Sequence, residues 1–104
     1  MEKITADQLK AKNTGNFTLV DVYADWCQPC KRMTPVLETL SEEFITLDFV
    51  KVDADADHQY SADVGVRSIP TLIIYDLELR EVERWTGNQD INSIREWITG
   101  AISK

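Results

Sequence analysis

Three short, almost continuously apolar runs, set apart by stretches of helical spacing, limit what this chain can fold into. The runs are Phe17–Tyr23, Leu47–Val52 and Thr71–Tyr75. Each is too short for a stable helix and apolar on both sides, which marks strands covered on both faces of a sheet. Within the first run, Thr18 and Asp21 break the apolar pattern. Between the first two runs, Met33, Val36, Leu37, Leu40 and Phe44 share one face of a helix predicted over 27–44, which Pro35 interrupts and kinks. Thr5-Ala6-Asp7-Gln8 has the form of a capping box, so a short helix is predicted from there to about Lys12, then a turn at Asn13–Asn16. Asp55 or Asp57 caps another short helix through Ala62. Glu81–Trp85 reads as a fourth strand, joined to the third through Asp76–Arg80 as an antiparallel hairpin. Asp90 caps a last helix whose core face holds Ile91, Ile94, Trp97, Ile98 and Ala101. Met1–Ile4 is barely long enough for an extra edge strand. Trp85 and Trp97 read as packing residues and His58 as a surface residue.

The order helix, strand, helix, strand, helix, strand, strand, helix implies an α/β architecture. Right-handed parallel crossovers, closed by an antiparallel hairpin, give a central mixed sheet of four to five strands with helices on both faces. The 104 residues suffice for one domain, residues 1–104, and not for two. Hydrophobic residues at 43% beside 28% charged ones argue against a disordered chain. A net charge of −7 and the lack of a basic stripe argue against a nucleic-acid partner. No apolar run approaches the ~18 residues of a membrane span. Asp7, Lys10, Lys12 and Asn13 break up any signal-peptide core, so the chain is expected in the cytoplasm.

Chemistry points to the two cysteines, Cys27 and Cys30. A secreted scaffold needs more of them, closing longer loops. A bridge between such close neighbours removes only ~2 kcal/mol of chain entropy, so stability is a poor reason for it. Structural zinc wants four ligands, and besides the pair only His58 remains. The pair sits where a central strand ends and a helix begins. Active groups gather at the carboxyl ends of strands in such sheets, and a helix N-terminus stabilises a thiolate. Cys27 is therefore expected to be the exposed, low-pKa nucleophile. Cys30, one turn in and shielded, is near enough to close a disulfide. Pro29 suits the first turn, where its missing N–H costs nothing. Asp21 is costly inside a buried strand unless satisfied or protonated. It either faces solvent at a frayed edge, or is paired structurally, or accepts the Cys30 proton with its own pKa raised by desolvation. Trp26, beside a reactive thiol, reads as docking surface rather than core. Pro70 opens the third strand, with its peptide isomer left open.

Trp26-Cys27-Gln28-Pro29-Cys30-Lys31, Val20–Asp25, Lys51-Val52-Asp53 and Val64–Thr71 stand in an order that resembles the thioredoxin family over nearly the whole chain. The resemblance implies a thioredoxin-like fold, a cis Ile69–Pro70 bond facing Cys27, and Lys51 as the neighbour of Asp21. It implies a substrate face containing Trp26, Ser68, Ile69, Pro70, Thr86 and Gly87. It further implies a thiol–disulfide oxidoreductase that reduces protein disulfides through Cys27 and Cys30. Such a protein needs no metal or organic cofactor, acts as a monomer, and is recharged by an NADPH-dependent flavoprotein reductase.

The chain also departs from the family pattern. Gln28 replaces the usual glycine between the cysteines, and Tyr23 stands where tryptophan is common. Ser68 and Thr86 replace a small residue and a valine on the substrate face. The hairpin lacks Asn-Gly, and the N-terminal strand looks truncated. Gln28, Pro29 and Lys51 are expected to tune the redox pair. A hydrogen bond from the Gln28 amide to the Cys27 thiolate raises the reduction potential, whereas a solvent-facing Gln28 alters partner contacts alone. Two other functions fit the sequence: a binding module whose thiols are incidental, and a weakly oxidising isomerase or oxidase. Pro29 stands where the family's oxidases usually carry histidine, which argues for a reductant.

Overall fold

Residues 1–104, described by a computed structural model, form β1 (Glu2–Lys3), α1 (Ala6–Lys10), β2 (Phe17–Tyr23), α2 (Gln28–Glu43), β3 (Leu47–Asp53), α3 (His58–Asp63), β4 (Thr71–Tyr75), β5 (Glu81–Thr86) and α4 (Ile91–Ile102). The capping box at Thr5 is complete, with the Gln8 N–H on the Thr5 side chain and the Gln8 side chain on the Thr5 N–H. α1 nevertheless stops at Lys10, short of the expected Lys12, because the Lys12 N–H turns back to the Leu9 carbonyl. Asp90 caps α4 as expected. α2 continues through Pro35, which lies on its solvent side. Asp57 precedes α3 without a side-chain cap bond. Instead, Asp53 Oδ1 accepts the N–H groups of Asp55 and Ala56 and folds the loop before it.

The sheet has the order β1-β3-β2-β4-β5. β1 and β2 flank β3 in parallel, while β4 and β5 join antiparallel. Met1–Ile4 thus supplies an edge strand of two residues, which completes five strands. One expectation needs correction. The passage from β3 through α3 to β4 is not a parallel crossover, since β4 runs antiparallel to β2. The six residues of α3 rise only ~9 Å, whereas the seven-residue strand β3 spans ~23 Å. The helix cannot carry the chain back to the far edge, so β4 starts from the edge where β3 ended. Thr71, its first residue, lies opposite Val22 near the end of β2. That reversal brings Ile69 and Pro70 to the edge where the cysteine turn stands.

Alternation along β2 divides the core into two layers. Leu19 joins Met33, Leu37 and Leu40 of α2 and Ile94 and Ile98 of α4 on one face. Val20 and Val22 join Ala6 and Leu9 of α1 and Tyr60 of α3 on the other. Trp85 and Trp97 pack against the first layer, their ring centroids 5.6 Å apart. His58 is exposed, as read from the sequence. The hairpin turn replaces Asn-Gly with an aspartate that makes its own turn. Asp76 Oδ1 accepts the N–H groups of Glu78 and Arg80, while Leu79 takes a φ of 59°.

Candidate active site

The turn after β2 ends in a hydrogen bond from the Cys27 N–H to the Ala24 carbonyl, at 3.1 Å. Cys27 itself is the N-cap of α2. Its backbone is extended, and its Sγ accepts the Cys30 backbone N–H at 3.2 Å. A capping position is filled most often by an oxygen side chain; here a sulfur receives the free N–H and sits in the positive end of the helix. Pro29 falls in the first turn, where it removes no helical hydrogen bond. Cys27 and Cys30 are joined as a disulfide, with Cα atoms 5.2 Å apart.

Cys27 is not the exposed residue expected from its position. It is 4% exposed and Cys30 is 3% exposed. Tyr23 and Ile69 pack against the small cluster of Ala24, Cys27 and Cys30. Ile69 arrives there because β4 enters from the same sheet edge. Its carbonyl oxygen lies 3.9 Å from Cys27 Sγ. The residues beside Cys27 are open instead: Gln28 is exposed, and Trp26 is 67% exposed.

The Trp26 indole N–H donates to Asp55 Oδ2 at 2.8 Å, which ties the ring to the loop after β3. Asp55 was not among the site residues read from the sequence. It is one of three acidic residues within 53–57, and nothing in that run distinguishes it until the loop folds. The Ile69–Pro70 bond is cis, as the resemblance implies. Around it the segments are tied together. The Thr71 hydroxyl donates to the Ser68 carbonyl at 2.7 Å and meets the Thr86 hydroxyl at 3.3 Å. The Gly87 N–H donates to the Pro70 carbonyl at 2.9 Å, with Gly87 at a φ of 97°, a conformation that glycine adopts without strain. Ser68, Ile69, Pro70, Thr86 and Gly87 therefore form one assembly beside Cys27. Gln28 opens α2 with its side chain in solvent, and the hydrogen bond on Cys27 Sγ comes from the backbone of Cys30 rather than from the Gln28 amide.

Asp21 is 2% exposed, so it does not face solvent at a frayed edge. Alternation places it on the same side of β2 as Leu19, which packs on α2, and Tyr23, which packs on the cysteines. Its Oδ1 has no hydrogen-bond partner. Burial pushes its pKa up to about 7, and the positive charge of Lys51 pulls in the opposite direction. Lys51 is its register partner on β3. The Lys51 ammonium lies over the Tyr23 ring, 5.0 Å from the centroid. A cleft of about 120 Å³ reaches Cys30 between Lys51, Tyr23 and Asp25. Tyr23 and Asp25 were likewise not picked out as site residues. A larger cavity of about 350 Å³, beside Tyr60 and Tyr75, does not touch the cysteines. No three metal-ligating side chains converge anywhere in the chain.

The Thioredoxin family model matches residues 3–100. The thioredoxin of Chlamydia muridarum is 38% identical over 96 residues, which cover 92% of this chain and 93% of that protein. The thioredoxin of Chlamydia trachomatis is 42% identical over 81 residues, 78% of each chain. Among solved structures, the thioredoxin of Fasciola hepatica superposes with a TM-score of 0.84 at 32% identity, over 97% of this chain and 99% of that one.

Proposed function

The chain belongs to the thioredoxin family and is a thiol–disulfide oxidoreductase, and from that premise we propose which of its residues carry the reaction. The Cys27 thiolate attacks one sulfur of a substrate disulfide. The substrate S–S bond breaks, the departing thiolate takes a proton from water, and Cys27 is left in a mixed disulfide. Asp21, as carboxylate, takes the Cys30 thiol proton directly or through a water. The Cys30 thiolate then attacks Cys27 Sγ, the mixed disulfide breaks, and the second substrate sulfur leaves reduced. Two electrons have passed from the dithiol to the substrate. The observation that carries this reading is Cys27 Sγ at the start of α2, bonded to Cys30 and accepting its N–H.

Trp26, Ser68, Ile69, Pro70, Thr86 and Gly87 form the docking face in this reading, and Lys51 tunes Asp21. The pair is its own redox group and needs no other cofactor. Substrates are disulfide-bearing proteins met by a single-domain monomer. Family membership supports an NADPH-dependent flavoprotein reductase as the source of electrons, and a cytoplasmic location, where thiols are kept reduced. No helix is long and apolar enough to cross a membrane.

Insulin reduction tests the reading. The reduced protein is expected to cut the interchain disulfides and precipitate the freed chain, read as turbidity. Protein alkylated on both cysteines is expected to leave insulin intact. Full activity after alkylation, or none before it, sinks the redox assignment and leaves a binding module.

Gln28 acts through the backbone in this reading. A side chain at the first position of α2 restricts the turn and keeps the Cys30 N–H aimed at the thiolate. Stabilising the thiolate stabilises the reduced form and makes the pair more oxidising. Glycine in a helix costs ~0.5–1 kcal/mol, and ~30 mV corresponds to ~1.4 kcal/mol. Gln28→Gly is therefore expected to lower the potential in glutathione titrations by at most ~20 mV, the limit reached if that cost falls wholly on the reduced form. Equal potentials make Gln28 a recognition residue.

A further inference from the structure

Lys51 and Asp21 lie side by side in the parallel register of β2 and β3, yet Asp21 Oδ1 takes no hydrogen bond from the ammonium or any other group. Its place is over the face of Tyr23. The Tyr23 ring also packs against the cysteines. Tyr23 and Lys51 both line the cleft that reaches Cys30. A lysine stem is long, flexible and strongly attracted to water. Lys51 is only partly buried, and the contact that its ammonium makes is with the Tyr23 ring. The electron-rich face of an aromatic ring attracts a cation and sets its position.

We propose that Tyr23 is a positioning residue for the proton transfer at Cys30, its ring holding the Lys51 ammonium where that charge assists ionisation of Asp21. This rests on the reading of Asp21 as the proton acceptor. A held cation favours the carboxylate, so Asp21 is ready to take a proton at neutral pH. A released cation leaves burial unopposed, and the carboxyl keeps its proton to higher pH. The other charges at this place do not substitute for it. Asp25, next in chain to the cysteine turn, and Asp53, on β3, are carboxylic acids that act on the Tyr23 hydroxyl, and neither supplies a positive charge. Lys31, from α2, lines the same cleft but is exposed. Lys3, on β1, is turned to Asp53 at 3.9 Å.

The test follows the Asp21 carboxyl by carbon NMR through a pH titration, beside the pH profile of mixed-disulfide resolution. Tyr23→Leu removes the ring face and is expected to move the Asp21 midpoint up by about half a pH unit, the equivalent of a surface cation–π contact. Resolution at pH 6 then slows ~3-fold, since the ionised fraction falls by that factor. Tyr23→Phe, which keeps the ring and loses the hydroxyl, is expected to keep the wild-type midpoint. In the Lys51→Gln background, Tyr23→Leu is expected to add no further shift. An unchanged midpoint in Tyr23→Leu, or the same shift with and without Lys51, overturns the proposal. A moved midpoint with an unmoved resolution profile upholds the ring's hold on Lys51 and removes Asp21 from the proton transfer. Those two failures are thereby told apart.

Discussion

Cys27→Ser is expected to abolish disulfide reduction, and Cys30→Ser to arrest the protein as a one-to-one adduct with its substrate. The first loss is at least ~10³-fold, because a hydroxyl in the place of the thiol is neither ionised near neutral pH nor a comparable nucleophile. The second result depends on what the substitution leaves behind. The hydrogen bond that Cys27 Sγ accepts comes from the backbone N–H at position 30, which serine keeps. The helix N-terminus is also unchanged, so Cys27 stays activated while the resolving sulfur is gone. Mass spectrometry of Cys30→Ser mixed with a disulfide substrate is expected to show a covalent complex that dithiothreitol releases. If Cys30→Ser turned over like the wild type, or Cys27→Ser formed the adduct instead, the roles of the two sulfurs given above would be wrong.

The buried state of Cys27 bears on this reaction. With 4% of the residue exposed, a substrate cannot reach the sulfur across an open surface. In the reading proposed above it settles along Trp26 and the Ser68–Pro70 segment, of which Ile69 packs against Cys27 because of the reversal of β4. This is where sequence reading stopped short. The elements themselves were legible, since caps at Thr5 and Asp90 and the alternation in β2 are local signals. Cys27 and Cys30 were legible too, because a strand end followed by a helix start defines where they stand. The direction of β4 was not, because it depends on how far α3 can carry the chain. With that direction unread, no local pattern brought Ile69 over Cys27; only the family resemblance implied that the Ile69–Pro70 bond faces it. The bond from Trp26 to Asp55 and the place of Lys51 over Tyr23 join segments that meet only at the carboxyl edge of the folded sheet. No spacing within either segment announces them. Asp21 lies between these cases. Its cost was evident from a charged residue in an apolar run, while its unpartnered oxygen became evident only from the packed structure.

Asp21→Asn is expected to slow turnover and to stabilise the protein, two effects of opposite value from one substitution. The carboxyl has a pKa of about 7 in the fold, against 3.8 for an unperturbed aspartate, with burial as the main cause. Between those values the native state holds a proton that the unfolded chain has released. Stability therefore falls as pH rises through this interval, and the whole cost is present above pH 7. That cost is about 4 kcal/mol. An amide of the same shape carries no charge to desolvate, but it remains a polar group in an apolar place, so ~2–4 kcal/mol of it is recovered. Thermal melting of the oxidised protein, in which the cysteines do not titrate, is expected to show the variant melting ~10 °C or more above the wild type at pH 8. The two curves are expected to converge toward pH 4. Disulfide reduction by the same variant is expected to fall about tenfold at pH 7–8, less than the ~10²–10⁴ of a directly acting acid or base. Its profile should also lose the rise that accompanies ionisation of Asp21. A variant that melts higher but reduces substrate with the wild-type profile between pH 6 and 8 makes Asp21 a buried charge without a part in the proton transfer. One that melts no higher at pH 8 means that the carboxyl is satisfied within the fold, and its readiness to take the Cys30 proton loses its physical basis.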